Sequence, residues 1–368
     1  MRFPIGKRTR PRRRLCPAAA FAAVTLIATA CSNDTAGAPQ TPETPAAVTE
    51  ALAVVPSDVT QFWFTDAGAM RRDAGLSDVT GKDVADKKAL AKYIQFTSAN
   101  GLSTELDTVS PLMMEPLGFN AFDVQWQVQL LQRGKSEGIS TAILKMRDDL
   151  DLAGVKDKLV AVGLKPAAAP AGSPAGTVRL NADLNNPKLS ASRVGSVLIR
   201  GVTLFPEQHL LVLGRASIPA AGDKAKPAPS AELIAGLPSL SLVVSSSDAC
   251  VGPTTGNKAT PAQRSQRAEK FKGLKPITAA AIGIGSATEA QIRVRYPNAA
   301  DAEADLKART TLMKNPSEVS QEPLADVFTG TAAASGDTIT YRLTGERAAG
   351  FVTTAVLRQT DTFWAWCP

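Results

Sequence analysis

Apolar and polar residues alternate along VQWQVQLL, which puts Val124, Trp126, Val128 and Leu130 on one side of an extended chain. That period of two predicts a half-buried strand. VTQFWF (59–64), STAILKMR (140–147), TVRLNADL, GSVLIRGVTLFP and HLLVLGRA also read as strands, rich in β-branched and aromatic residues. A different period governs DLAGVKDKLVAVG. There Leu152, Val155, Leu159 and Val162 recur at steps of 3, 4 and 3, one face of a helix. Val84, Leu90 and Ile94 give residues 83–98 a similar spacing, and Asp66 is placed to cap a helix over AGAMRR. KPAAAPAGSPAG reads as an exposed loop.

The pattern then starts again. SAELIAGLPSLSLVVSSSD parallels TEALAVVPSDVTQFWFTD, with Pro238 and Asp248 each 182 residues beyond Pro56 and Asp66. ITAAAIGI (277–284) stands where VQWQVQLL stood. AQIRVRYPNAADAEADLKARTTLM repeats strand then helix, with Ala302, Leu306 and Met313 as the apolar face. VFTGTAAASGDTITYRL predicts a hairpin turning near Ser335, Gly336 and Asp337. In these later segments the offset falls to about 149, so the first copy carries extra sequence. The expected fold is α+β: two divergent repeats, each a mainly antiparallel sheet with helices on one face. The units would span 48–216 and 231–368, joined by a Pro/Ala/Lys linker at 217–230.

Composition changes the picture mainly at the front. Residues 1–30 hold seven Lys or Arg and no acid, then an apolar run, LCPAAAFAAVTLIATA, ending before Cys31. A basic stretch, a short apolar run and small residues form an export address and not a fold element. The run is short for a transmembrane helix, which needs about 20 apolar residues. Ile27-Ala28-Thr29-Ala30-Cys31 resembles a lipobox, and the chain resembles an actinobacterial cell-envelope lipoprotein over its signal and tether. Ala28 stands where that family usually has Leu. The resemblance implies cleavage before Cys31 and two or three acyl chains there, palmitate among them, enough for stable anchoring at the outer face of the cytoplasmic membrane. Cleavage after Ala30 without acylation, or an uncleaved anchor, is the alternative. Arg12, Arg13 and Arg14 leave Sec and twin-arginine export both open. Residues 31–47 are polar and Pro-rich, a tether unable to bury a core.

Without residues 1–30 the chain holds 34 basic and 34 acidic residues. The overall charge of +7 therefore belongs to the leader, and no nucleic-acid footprint remains. Of four cysteines, Cys16 leaves with the signal and Cys31 is the lipid site. Cys250 and Cys367 remain, and in an oxidising compartment they predict one disulfide, with two separate thiols as the alternative.

Candidate chemistry is sparse. His209 is the only histidine, so a multi-histidine metal site is excluded, and no HExxH or phosphate-loop motif exists. Gly283-Ile284-Gly285 precedes a polar strand and not a helix, so no dinucleotide fingerprint forms. No cofactor is implied. Asp66 and Asp248 hold matching places in the two copies and would be the carboxylates of an envelope hydrolase; capping helices or turns is the plainer role. Trp63, Trp126, Trp364 and Trp366, with Arg293 and Arg295 sharing a strand face, could line a groove between the units. The leading expectation is a noncatalytic envelope protein that binds a lipid, a glycan or a protein partner.

Overall fold

The computed structural model describes residues 44–368 except 86, 100–101, 103–105, 107–111, 131–140, 193, 215–217, 219–230, 247–248, 253–259, 318–319 and 359–360. The chain opens with α1 (Ala46–Val54), β1 (Gln61–Thr65), α2 (Ala67–Asp73), α3 (Lys87–Ala99) and α4 (Met114–Leu117). Strands β2 (Val124–Leu130) and β3 (Thr141–Met146) precede α5 (Leu152–Ala161). Then come β4 (Leu164–Ala167), β5 (Val178–Ala182), α6 (Pro187–Ala191), α7 (Gly195–Leu198), β6 (Val202–Phe205) and β7 (Leu210–Leu213). The second stretch holds α8 (Ala231–Ile234), β8 (Ser241–Ser245), α9 (Pro261–Phe271), β9 (Ala279–Ser286) and β10 (Glu289–Arg295). It ends with α10 (Ala299–Leu312), α11 (Leu324–Val327), β11 (Thr329–Ser335), β12 (Thr338–Thr344) and α12 (Ala348–Arg358).

Among the described residues twelve strands form one antiparallel sheet, in the order β11-β12-β10-β9-β8-β1-β2-β3-β7-β6-β5-β4. The fold is α+β, and residues 41–368 separate as one unit. The expected units 48–216 and 231–368 share this sheet. They join where β1 lies beside β8, with Trp63 opposite Val243.

Register explains both faces. Successive partners Ala332, Tyr341, Ile292, Ile282, Val243, Trp63, Gln129, Ala142, Leu213 and Val202 form one row across the sheet. The longer helices bury this face: α10 and α12 over the β8–β12 side, α5 over the β3–β7 side. Period two then sends Phe64, Val128, Ile143, Leu242 and Val244 to the other face. That face is covered at its centre by the short helices α1, through Val48 and Ala51, and α8, through Leu233 and Ile234. The expectation of helices on one face therefore holds for the long helices, while two short ones take the opposite side. A glycine allows that close cover. A Cβ on Gly283 would strike the carbonyl of Pro238 just after α8, and one on Gly285 would crowd the Pro238 ring, so both glycines serve packing.

Some local expectations are corrected. The strand β4 runs through Lys165, Pro166 and Ala167 into the stretch read as loop, and Gly195–Leu198 is helical where a strand was expected. Asp66 caps α2 as anticipated, its Oδ1 accepting the Ala69 N–H at 2.7 Å. Asp151 does the same for α5, accepting from Ala153 and Gly154. Cys250 and Cys367 are bridged, with Cα atoms 5.4 Å apart. Cys31, Asp248 and the linker at 217–230, save Ile218, lie outside the described residues.

Candidate functional site

The six residues expected to line a groove do not converge. Trp63, Trp364 and Trp366 belong to the core under α10 and α12, whereas Trp126 lies on the opposite face. All four tryptophans are at most 5% exposed. Each has a packing role. Trp63 Nε1 donates to Ser241 Oγ at 2.6 Å, which donates onward to the Phe64 carbonyl, a polar tie across the β1–β8 junction. Trp126 Nε1 donates to Glu50 at 3.0 Å. Trp366 stacks on Phe271 with centroids 4.7 Å apart, and Trp364 meets Phe363 edge-on. Arg293 donates to the Leu233 and Ala235 carbonyls at the end of α8, and Arg295 pairs with Glu232 at 2.8 Å. The space at the junction, between Gln61, Val243, Ile282 and Trp364, is about 40 Å³. That suits a few waters and no organic ligand.

Burial raises the Asp66 carboxyl above its usual range, against the pull of the Ala69 N–H and of Arg72. His209 ends the turn Pro206–Gln208 in the left-handed region, with φ 48°, between β6 and β7. It is a turn residue.

The structure instead opens a cleft that the sequence did not announce. Thr80, Lys82, Asp123, Arg147, Asp149 and Lys158 line a space of about 380 Å³ at the N-terminal half of α5. Lys158 also borders a second hollow of about 600 Å³, which runs along Leu112, Pro116, Ala161 and Val162 with Glu115 and Ser192. Lys158 thus borders both spaces, each lined by polar and apolar groups together.

Three segments distant in sequence build this place. Asp123 holds two of them together: its carboxylate accepts the Gly81 N–H at 2.9 Å and the Asn120 N–H at 3.0 Å. Asn120 returns a bond to the Gly81 carbonyl at 3.1 Å. Burial pushes the Asp123 carboxyl up, and the two amides oppose that shift. Arg147, just past β3, donates its backbone N–H to the Asp123 carbonyl and grips Asp149 with two bonds of 2.9 Å. That grip holds Asp149 below the usual carboxylate range. Lys158 reaches from α5 to the Met114 and Glu115 carbonyls at 3.4 and 3.2 Å. Gly118, with φ +80°, lies against its stem, where a Cβ would stand 3.1 Å from Cδ. A residue with a side chain would therefore displace the lysine.

Chemically, the cleft offers positive and negative groups already matched to one another, next to apolar surface. Asp123 and Asp151 are committed to backbone amides and Asp149 to Arg147. Such a site can hold a ligand with a polar head and an apolar part. Sequence reasoning placed Arg147 on a strand and Leu159 on a buried helix face, but nothing local signals that residues 80–82, 112–123 and 147–162 meet.

Among the described residues no group of His, Cys, Asp and Glu is placed to hold a metal ion. No described helix is long and apolar enough to cross a membrane. Comparison with protein-family models, curated proteins and solved structures finds no match.

Proposed function

We propose that the chain is an exported lipoprotein, anchored through Cys31 at the outer face of the cytoplasmic membrane, whose folded part binds an envelope molecule without catalysing a reaction. The observation that carries this reading is the leader itself: a basic stretch, an apolar run and Thr29-Ala30-Cys31 in sequence. The Cys250–Cys367 bridge supports export, because such bonds persist in oxidising compartments. The commitment of Asp66 to capping α2 supports a noncatalytic role.

The cleft beside α5 favours an amphiphile over a free glycan or a protein. Its polar end would meet Lys82, Arg147 and Lys158, and its apolar part would run along Leu112, Pro116 and Val162. We further propose that the two halves of the sheet are divergent copies of one unit. Matching ion pairs support that origin. Glu50 on α1 meets Lys145 on β3 at 3.3 Å, and Glu232 on α8 meets Arg295 on β10 at 2.8 Å.

Metabolic labelling with a clickable fatty acid tests the anchor. The native chain should be labelled and a Cys31→Ala variant should not; equal labelling would refute the lipoprotein reading. Mass spectrometry of molecules retained by the purified chain tests the cleft. A bound lipid lost in Leu112→Asp supports it, and retention unchanged by that substitution counts against it.

A further inference from the structure

The two edges of the sheet are built differently. At one end β4 is four residues long and carries Lys165 and Pro166. Lysine and proline on a short strand discourage pairing with another chain, a common protection for an exposed edge. At the other end β11 is seven residues long, TGTAAAS, with no charge and no proline. All seven residues are at least partly exposed. Among the described residues this strand pairs only with β12, and no backbone bond leads from it to any other segment. An edge of that length with no device against pairing is a template for a further strand.

We infer that the partner is a second copy of this chain, pairing antiparallel through β11 about an axis at Ala332. The composition of the strand argues for self-pairing. In that register Thr329 faces the partner's Ser335, Gly330 faces the partner's Ala334, and Thr331 faces the partner's Ala333. Every pair sets small against small, and hydroxyls meet hydroxyls at both ends. An uncharged strand also brings no like charges together, the usual obstacle when a surface meets its own copy. The exposed side chains Thr329, Thr331, Ala333 and Ser335 share the face away from α10, since Ala332 and Ala334 pack toward the core on the helix side. The sheets of two copies then run on as one.

The full chain carrying Thr331→Cys and Ala333→Cys tests the register. Two symmetric bridges should link the copies, giving a dimer on a non-reducing gel that dithiothreitol dissolves. A Lys165→Cys chain should give none. Sedimentation of the full chain in detergent supplies the second measurement. Native protein should self-associate, and Thr331→Lys with Ala333→Lys, which sets lysines opposite lysines, should weaken association about tenfold. A native chain that is monomeric at every concentration would overturn the inference. So would a dimer unaffected by the lysines, or cross-linking of β11 to a different protein only. Loss of lipid labelling on Cys31 would leave this inference standing, because the edge does not depend on the anchor.

Discussion

A buried arginine holds each half of the sheet to a neighbouring segment, but the two halves use it differently. On the β8–β12 side Arg309 of α10 is fully buried. It donates to the Phe363 and Trp366 carbonyls of the C-terminal segment, to the Lys275 carbonyl, and to Asp305 at 2.6 Å. Tyr296 donates a further bond to Asp305, and burial raises its hydroxyl far above the ordinary value. The Cys250–Cys367 bridge closes the same segment covalently, beside paired backbone bonds between Val251 and residues 365 and 367. On the β1–β7 side Arg71 of α2 is also buried, and donates to the Val124 and Ala121 carbonyls. No disulfide clamps the described residues of that half. The segment Arg71 holds, residues 120–124, runs straight into the cleft through Asp123. The comparison teaches that one half is fastened shut around its own C-terminus, while the other uses the same device to shape an open site.

Breaking the covalent clamp should have the largest effect. The bridge spans 117 residues, and in the chain-entropy model its loss costs about 4–5 kcal/mol. Urea unfolding of Cys250→Ser with Cys367→Ser should show that drop in stability, and a drop under about 1 kcal/mol would mean the C-terminal segment is held well enough without it. Next comes Arg309→Met, expected to cost about 3–5 kcal/mol because it strands Asp305 in the core. Adding Asp305→Leu should recover most of the loss, since removing both charges avoids the stranded one. If the double variant is no more stable than the single one, the pair is not the unit described here.

Arg71→Met sharpens the contrast between halves. It leaves neutral carbonyls instead of a buried carboxylate, so the expected cost is smaller, about 1.5–3 kcal/mol. It should also loosen residues 120–124. Hydrogen exchange at Gly81 and Asn120, the amides that Asp123 accepts, should accelerate in Arg71→Met and stay unchanged in Arg309→Met. Acceleration in both would erase the distinction between a closed and an open half.

The strand pattern of this chain was legible because its sheet is wet or thinly covered on one side over much of its width. In IRVR the arginines face the short helix α8, whereas in VQWQVQLL it is the apolar Trp126, Val128 and Leu130 that face the short helices, with Gln127 and Gln129 on the other side. The parallel between the segments around Glu50 and Glu232 was visible because a short helix precedes each of β1 and β8, and both helices cover the sheet centre. Continuous apolar strands such as β6 and β7 told nothing of their neighbours. The order that puts β7 beside β3, and β1 beside β8, is set by pairing across long separations. The groove expected from the tryptophans failed for a related reason. Trp63 and Trp126 are in adjacent strands but point to opposite faces, and only register decides that. The cleft was illegible because each of its side chains has a local excuse: Asp151 as a cap, Asp149 as a partner for Arg147, Lys158 as a polar helix position. Only the fold shows that they share a space with Asp123.

Asp66 gives the smallest effect and the clearest sign. Its folded value is raised, chiefly by burial, so the folded state holds the proton more tightly than the unfolded chain does. That group therefore favours folding fully below its unfolded value. The contribution is lost as pH rises through the folded value. At neutral pH the buried carboxylate is a burden, offset by its cap to Ala69. Asn is an equally good cap and carries no charge. Asp66→Asn should then keep α2 intact and match or slightly exceed the native stability at neutral pH, by under about 1 kcal/mol. On acidification the native chain should gain on the variant, so that the difference shrinks or reverses across the range where Asp66 binds its proton. Paired urea titrations at neutral and acidic pH measure this. A difference that grows in favour of Asn as pH falls would contradict the sign and the assignment of burial as its cause. A variant much less stable at every pH would instead show that the carboxylate does more for α2 than accept one amide.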